Sequence, residues 1–164
     1  MPRNNPRIKA VRPGNAPYTL VVTWVGGRKT AVDLTGVVAR SERFRELLDS
    51  DAFADVGVVT HGWGIGWGCG VDYSADSIAR LAREQKPMTG EDFARWMRNL
   101  DLSNQEASDV LGVSLTTVKN HKRAKGPLPA VVAIACSALA EDKTAFFAHY
   151  RPRYPGRPRA KAAG

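Results

Sequence analysis

Hydrophobic and polar residues follow two different rhythms in the two halves of the chain. In the first half they alternate, as in the β-branched and aromatic run Tyr18–Val25, and a period of two is typical of a half-buried strand. The Gly26-Gly27 pair after this run predicts a hairpin, because glycine accepts the positive φ angles of tight turns. Residues 28–34 then predict the returning strand.

The other patterns of the first half complete a small α+β unit. Residues 7–13 predict an edge strand, and residues 56–60 predict a further strand. The rhythm changes to a helical one over residues 41–50, with Ser41 as the N-cap, and again over residues 75–84. The predicted order β-β-β-α-β-β-α describes a small antiparallel sheet with two helices. The inward faces of the helices consist of Phe44, Leu47 and Leu48 in the first and Ile78, Leu81 and Ala82 in the second.

Glycine occupies every second position from Gly62 to Gly70, in the segment HGWGIGWGCG. A dinucleotide-binding loop requires the spacing G-x-G-x-x-G, and a P-loop requires Gly-Lys-Ser/Thr; the segment has neither. We therefore predict a hairpin that turns near His61-Gly62 and returns through Ile65–Cys69. One face of this strand is large and apolar, and the glycine face lets a neighbouring element approach. The apolar face consists of Trp63, Ile65, Trp67, Cys69 and Val71.

The second half has the 3.6-residue period of amphipathic helices. Thr89 predicts the cap of a first helix, and Ser103 with Glu106 forms a capping box for a second, which Gly112 ends. Ser114 predicts the cap of a third helix. A fourth helix follows the prolines of PLPAVVAIACSALAED and is apolar nearly all round, which is typical of a helix that is either central or at an interface. The apolar positions are Phe93, Trp96, Met97 and Leu100, then Ala107, Val110 and Leu111, then Val118.

Charge and composition limit the classes of protein to which the chain can belong. The 164 residues carry a net charge of +8, and residues 151–164 contain five basic residues and no acidic one. We predict an α+β domain over 1–86 for dimerisation, sensing or partner binding, a helical domain over 87–150, and a basic Pro-rich tail over 151–164. The tail either follows a phosphate backbone or is a solubilising end. Without a signal sequence or a membrane-length apolar run, we expect a cytoplasmic protein at the bacterial nucleoid, with no membrane partner.

The segment LSNQEASDVLGVSLTTVKNHKRAKGPLP has the spacing of a helix-turn-helix. Ser108 is small where the helices cross, Gly112 suits the turn, and Val118 is apolar six positions later. Over residues 88–141 the chain resembles the Cro/C1 (lambda repressor-like) helix-turn-helix family, which implies an all-α domain that binds double-stranded DNA. The family usually has Ala at the place of Ser108 and often Trp-Glu at the place of His121-Lys122.

The resemblance implies which residues contact DNA. The first residues of the second helix enter the major groove, so that Leu115, Thr116 and Asn120 meet base edges, and Asn120 can bond an adenine twice. Asn104 and Gln105 at the start of the preceding helix hold a phosphate. The cationic side chains set register and affinity. The complete predicted set is Asn104, Gln105, Ser114, Leu115, Thr116, Thr117, Lys119, Asn120, Lys122, Arg123 and Lys125. The alternative is a solvated basic face on a protein-binding helical bundle.

The first half, over residues 6–86, resembles a small bacterial domain family of unknown function whose members often precede a helix-turn-helix. The resemblance rests on VVTWVGGRKTAVDL, FRELLDSDAFADVGV and IGWGCGVDYSADSIARLA, where Trp67, Gly70 and Asp72 form the pattern W-x-x-G-x-D. Some members resemble antitoxins, and no chemistry is implied. Asp72 and Asp76 are more simply a strand end and a first-turn helical residue than an acid/base pair.

These observations predict a sequence-specific transcriptional regulator that acts as a homodimer on double-stranded DNA. We expect a repressor, and whether it regulates its own gene stays open. The alternative is an antitoxin-type protein that binds a toxin through its first domain and autoregulates through the second. We expect no catalytic activity, no cofactor and no metal site, because no nucleophile–base pair or ligand spacing is present, and Cys69 and Cys136 lie far apart in the chain. The apolar helix after residue 128 or the outer face of the sheet is expected to form the dimer contact.

Overall fold

The computed structural model of the chain describes residues 5–152. The chain divides into two compact units between Lys86 and Pro87, and each unit has its own hydrophobic core. The basic tail predicted for 151–164 lies outside the described residues from residue 153 onward. Within the described part, no helix combines the length and the apolarity that crossing a bilayer requires.

The first unit begins with an antiparallel sheet of three strands in the order β1 (Ile8–Pro13), β2 (Thr19–Trp24) and β3 (Lys29–Asp33). The predicted hairpin is confirmed, since Gly26 and Gly27 have φ angles of 104° and 88° in the turn between β2 and β3. The strands alternate as expected, because one face is buried and the other meets solvent. The buried face consists of Leu20, Val22, Trp24 and Val32.

A second antiparallel sheet contains β4 (Val56–Val59), β5 (Gly64–Trp67) and β6 (Asp72–Ser74) in that order. The predicted turn near His61-Gly62 is confirmed, and β5 returns along β4. The glycines of β5 give room to a side chain of the paired strand: a Cβ on Gly66 would lie 2.9 Å from Cγ1 of Val59. The central part of the glycine stretch, Gly64–Trp67, is therefore a strand whose glycine face lets the paired strand come close.

The predicted alternation of this segment extends only over β5. Ile65 and Trp67 are buried, and the Trp67 indole donates to the carbonyl of Phe53 at 2.9 Å. Trp63 is 42% exposed and Cys69 is exposed, so their assignment to the apolar face is wrong. Trp63 lies in the turn before β5, where its amide bonds the carbonyl of Thr60. Cys69 lies in the tight turn after Trp67, whose amide bonds the carbonyl of Val71, and this turn leads into the unpredicted strand β6.

The helices of the first unit also differ from the prediction of two. They are α1 (Thr35–Arg40), α2 (Ser50–Ala54) and α3 (Ala75–Glu84), with a 3-10 helix over Glu42–Leu48. Ser41 makes no capping bond, and Leu48 is 49% exposed, which corrects the helix predicted over 41–50. Asp49 explains the difference: its Oδ1 accepts from the amides of Asp51 and Ala52, so a new helix starts there.

The second unit is all-helical. It contains α4 (Gly90–Asn99), α5 (Asn104–Leu111), α6 (Leu115–Arg123), α7 (Ala130–Glu141) and α8 (Lys143–His149). The predicted caps Thr89, Ser103 and Ser114 are confirmed, and each accepts a hydrogen bond from the backbone of the following turn. The fold class predicted from the sequence, an α+β region followed by an all-helical region, is thus correct, with two small sheets in place of one. The core contains Phe93, Trp96, Met97, Ala107, Val110, Val118, Cys136 and Leu139.

The two cysteines have opposite environments, which leads to a prediction about their chemistry. Burial raises the pKa of the Cys136 thiol to about 12, and the side chain has no exposed surface. Because the thiolate is the reactive form, we expect one fast thiol per folded chain with a disulfide reagent at about pH 8, from the exposed Cys69. Cys69→Ser should remove the fast phase, and Cys136 should react only as the helical unit unfolds. Two fast thiols, or a fast phase that persists in Cys69→Ser, would contradict this assignment.

Candidate nucleic-acid interface

Helices α5 and α6 are set up by local signals at each of their ends. In the capping box of α5, the amide of Glu106 donates to Ser103 Oγ at 3.2 Å and the amide of Ser103 donates to Glu106 Oε2 at 2.9 Å. Gly112 ends α5 in the left-handed region, with φ 63°. Ser114 Oγ then accepts from the amide of Thr117 at 3.0 Å and starts α6. The chain between the two helices is therefore only Gly112–Ser114.

The contact between these helices depends on two buried side chains. Val118 of α6 has no exposed surface and packs in the core. Ser108 of α5 is 6% exposed, and its hydroxyl donates to the carbonyl of Val113 at 2.6 Å, within the turn. This bond satisfies a buried hydroxyl that an alanine would not carry. Serine thus fits at the crossing because it is small and because the turn offers it an acceptor.

The exposed face of α6 is defined by Thr116, Lys119, Asn120 and Arg123, all of which are exposed. They stand at i, i+3, i+4 and i+7, so they form one stripe along the helix opposite Val118. In the part of the chain that the structure describes, the side-chain carboxamide of Asn120 is exposed and makes no hydrogen bond. We call this stripe the α6 face.

Positive charge is concentrated on and beside the α6 face. Lys119, Lys122, Arg123 and Lys125 are exposed, and no acidic residue interrupts this run. His121, at the place where the family often has Trp, turns inward instead: it is half-buried, with its ring edge-on to Phe93 at 5.5 Å between centroids. The predicted cations are therefore available at the surface, and the one aromatic ring of α6 belongs to the core.

Three further predicted residues lie at the margin of the face. Leu115 and Thr117 are half-buried, and Ser114 is exposed. The hydroxyls of Ser114 and Thr117 are 2.8 Å apart and bond each other, so both side chains serve the start of α6. Leu115 keeps a partly exposed apolar surface beside Thr116.

Asn104 and Gln105 open α5, as predicted, and both are half-buried. The ammonium of Lys122 donates to Asn104 Oδ1 at 3.0 Å, which brings the start of α5 next to the end of α6. An ammonium has three donors and the Asn104 amide group has two, so the pair still offers donors to an anion. Gln105 Nε2 donates a long hydrogen bond to Asp109 Oδ1 at 3.4 Å, so one of its two N–H groups already has a partner.

A contact between α8 and α5 has no pattern along the chain that would predict it. The Tyr150 hydroxyl donates to Glu106 Oε1 at 2.8 Å, and this bond raises the pKa of Tyr150, as does the negative charge of the carboxylate. Glu106 thereby joins the capping box to the end of α8. The negative charge of Glu106 opposes a phosphate at the α5 backbone amides. The Asn104–Lys122 pair is therefore the better hydrogen-bond donor to a phosphate at this end of the surface.

Asp72 and Asp76, the two carboxylates considered from the sequence, both lie in the first unit. Asp72 forms an ion pair with Arg43 at the surface, and Asp76 lies in the first turn of α3. An open groove of about 560 Å³ beside β5 is lined by Gly66, Gly68 and Gly70 and bordered by Asp55 and Asp72. Carboxylates repel a phosphate, so this groove is a poor nucleotide site. No group of three or more His, Cys, Asp or Glu residues in residues 5–152 could hold a metal ion.

Comparisons with known proteins concern both halves of the chain. No curated protein matches it. The crystal structure of "Putative DNA Binding Protein NE0471" from Nitrosomonas europaea ATCC 19718 matches with 26% sequence identity and a TM-score of 0.47, over 94% of each chain. Residues 8–84 match the family model described as "Protein of unknown function (DUF2442)", which agrees with the predicted resemblance of the first half. This match does not extend into the helical unit, whose relationship to the Cro/C1 family stays a prediction.

Proposed function

We propose that this protein is a double-stranded-DNA-binding transcriptional regulator, acting as a dimer with α6 in the major groove, and that its role is binding and not catalysis. The observation that carries the proposal is the α6 face. It combines the exposed side-chain carboxamide of Asn120 with the exposed hydroxyl of Thr116. Both lie on a short helix that is flanked by cations and contains no carboxylate. Asn pairs with adenine and the Thr methyl contacts thymine, so the two side chains can read base edges.

The cations supply affinity without sequence preference. Lys119 and Arg123 belong to the α6 face itself, and Lys122 and Lys125 flank it. A major groove about 12 Å wide admits one helix, whose flanking cations then meet the phosphates on either side. The Asn104–Lys122 pair adds a phosphate contact from the start of α5. If all four cations neutralise a phosphate, the logarithm of the binding constant should fall with the logarithm of the salt concentration with a slope of about −3.6 per protomer.

The salt dependence of binding tests this proposal directly. Lys119→Ala should weaken binding to every duplex and reduce the steepness of the salt slope by about one, because one counterion fewer is released. Fluorescence anisotropy with a labelled random-sequence duplex over a range of salt concentrations measures both quantities. Lys29→Ala, which removes an exposed lysine of β3, is the matched control and should leave the slope unchanged.

Three results would overturn the proposal. The first is a wild-type protein that does not bind duplex DNA at low ionic strength. The second is a slope that changes equally in Lys119→Ala and Lys29→Ala, because binding would then depend on net charge and not on the α6 face. A preference for single-stranded over double-stranded DNA would also exclude the major-groove arrangement.

A further inference from the structure

Helix α7 leaves an apolar stripe in contact with water. Cys136 and Leu139 face the core, whereas Val131 is 70% exposed and Ile134 is 65% exposed. Ala138 is exposed as well, and the three residues stand at i, i+3 and i+7 on one side of the helix. We call Val131, Ile134 and Ala138 the α7 stripe. A helix that is apolar nearly all round is typical of either the centre of a domain or an interface. Helix α7 is not central to its own unit, so we assign it to an interface.

The α7 stripe carries no charge. Helix α7 has no basic residue, and its one acidic residue, Glu141, is the last of the helix. The outer face of the first sheet is the other surface expected to form a dimer contact. By contrast, it carries both charged and uncharged residues. There Arg12 lies beside Val21, and Lys29 lies beside Thr23 across the strand pairs. Charged residues are depleted at the centres of protein interfaces, so the structure favours the helix over the sheet.

We propose that the α7 stripe is the homodimer contact, with α7 of one protomer packed against α7 of a second copy of this chain across a two-fold axis. A two-fold interface places the same surface on both partners. An uncharged apolar stripe is complementary to itself, because it brings no like charges together and buries no unpaired ion. The small side chain of Ala138 lets the two helices come close.

The size of the stripe determines how strong this contact can be. A helix of twelve residues is only about 18 Å long, and a stable interface usually covers about 800 Å² on each partner. The stripe alone covers less, so we assign Phe147 of α8, which is 67% exposed, to the same interface. Helix α8 follows α7 after one residue and contacts it, so the two helices form one continuous surface element. We therefore expect a reversible dimer with a micromolar dissociation constant.

The biological role of this dimer rests on the proposed function, since two copies of α6 would read the two halves of a symmetric DNA site. The dimer itself needs no DNA. Its test is therefore sedimentation equilibrium of the full chain without DNA, from low micromolar to about 1 mM protein. The expected result is a shift from the 17.8 kDa monomer towards twice that mass.

Ile134→Glu should raise the dimer dissociation constant about 100-fold, because two carboxylates would face each other across the axis. Val25→Glu is the matched control: Val25 is also 65% exposed but lies in the first unit, so this variant should dimerise like the wild type. Val131→Lys tests the stripe at a second position and should weaken the dimer too. Far-UV circular dichroism of each variant checks that the helices are retained.

The outcomes separate this inference from the proposed function. A wild type that stays monomeric over the whole range, or a dimer that survives both stripe substitutions, overturns the interface. Equal weakening by Val25→Glu would place the contact elsewhere. Lys119→Ala should dimerise normally while it binds DNA more weakly, whereas Ile134→Glu should keep the salt slope per protomer. If DNA binding fails but the dimer forms, the inferred α7 interface is retained and the proposed function is rejected. If the dimer does not form but DNA binds through α6, the inferred interface is rejected and the proposed role of the α6 face is retained.

Discussion

Replacing Asn120 by alanine should lower the affinity for a preferred duplex by roughly 1–3 kcal/mol, which is about 5- to 150-fold, and should hardly change the affinity for random DNA. The physical reason is that the Asn120 side chain can donate from Nδ2 to adenine N7 and accept at Oδ1 from the adenine N6 amino group, and alanine offers neither bond. Asn120 is exposed on α6, so the substitution removes no contact of the core. Alanine also has the higher helix propensity, so the helix should be retained.

The measurement is a comparison of two DNA ligands. A duplex selected from a random library with the wild-type protein provides the preferred sequence, and the unselected library provides the reference. Asn99→Ala is the matched control, because it removes an exposed carboxamide from α4 and leaves α6 intact. If Asn120→Ala loses affinity equally on both ligands, or if Asn99→Ala has the same effect, then Asn120 does not read a base. A renewed selection with the variant should show relaxed preference at one position.

The helical unit was the more predictable half because its signals are local. The capping box of Ser103 and Glu106 and the left-handed Gly112 each act within four residues, so the sequence contains the whole interaction. Val118 is buried because its position on α6 is fixed by the cap at Ser114. These signals predict that Thr116, Lys119 and Asn120 point outward, and all three are exposed, since the direction of a side chain on a helix follows from its number.

Contacts between distant residues could not be predicted. The Lys122–Asn104 bond joins residues 18 positions apart, and the Tyr150–Glu106 bond joins residues 44 positions apart. Neither has a pattern along the chain, because such bonds depend on how the helices pack. The hydroxyl of Ser108 shows the same limit: the sequence identifies a small residue, and only the packed turn provides its acceptor.

The structure of the first unit differs from the prediction where one residue could belong to either of two short elements. Asp49 could lie inside a helix or cap the next one, and its two bonds to the amides of Asp51 and Ala52 decide for the cap. Trp63 follows the alternating pattern yet lies at the surface, beneath the guanidinium of Arg7 at 5.1 Å from the ring centre. A period of two specifies opposite faces only while the strand lasts, and here it lasts from Gly64 to Trp67.

Gly90, the first residue of α4, connects the stability of the helical unit with the position of α6. A Cβ at this residue would lie 2.7 Å from the carbonyl oxygens of both His121 and Ala124. Both oxygens belong to the backbone at the end of α6, so no side-chain rotation can relieve the clash. Real Cβ atoms do not approach so closely, and either α4 or the end of α6 has to move.

Gly90→Ala should therefore destabilise the helical unit by about 1–3 kcal/mol, the usual cost of overpacking a well-packed site, and should also weaken DNA binding, because the cations near the end of α6 would shift. Urea unfolding followed by far-UV circular dichroism measures the first effect, and anisotropy with duplex DNA measures the second. Gly126→Ala is the matched control, since a Cβ there meets nothing within 4 Å and the backbone is not left-handed. It should be neutral or slightly stabilising. Equal stability of the two variants would show that α4 and α6 do not pack as closely as the structure has them.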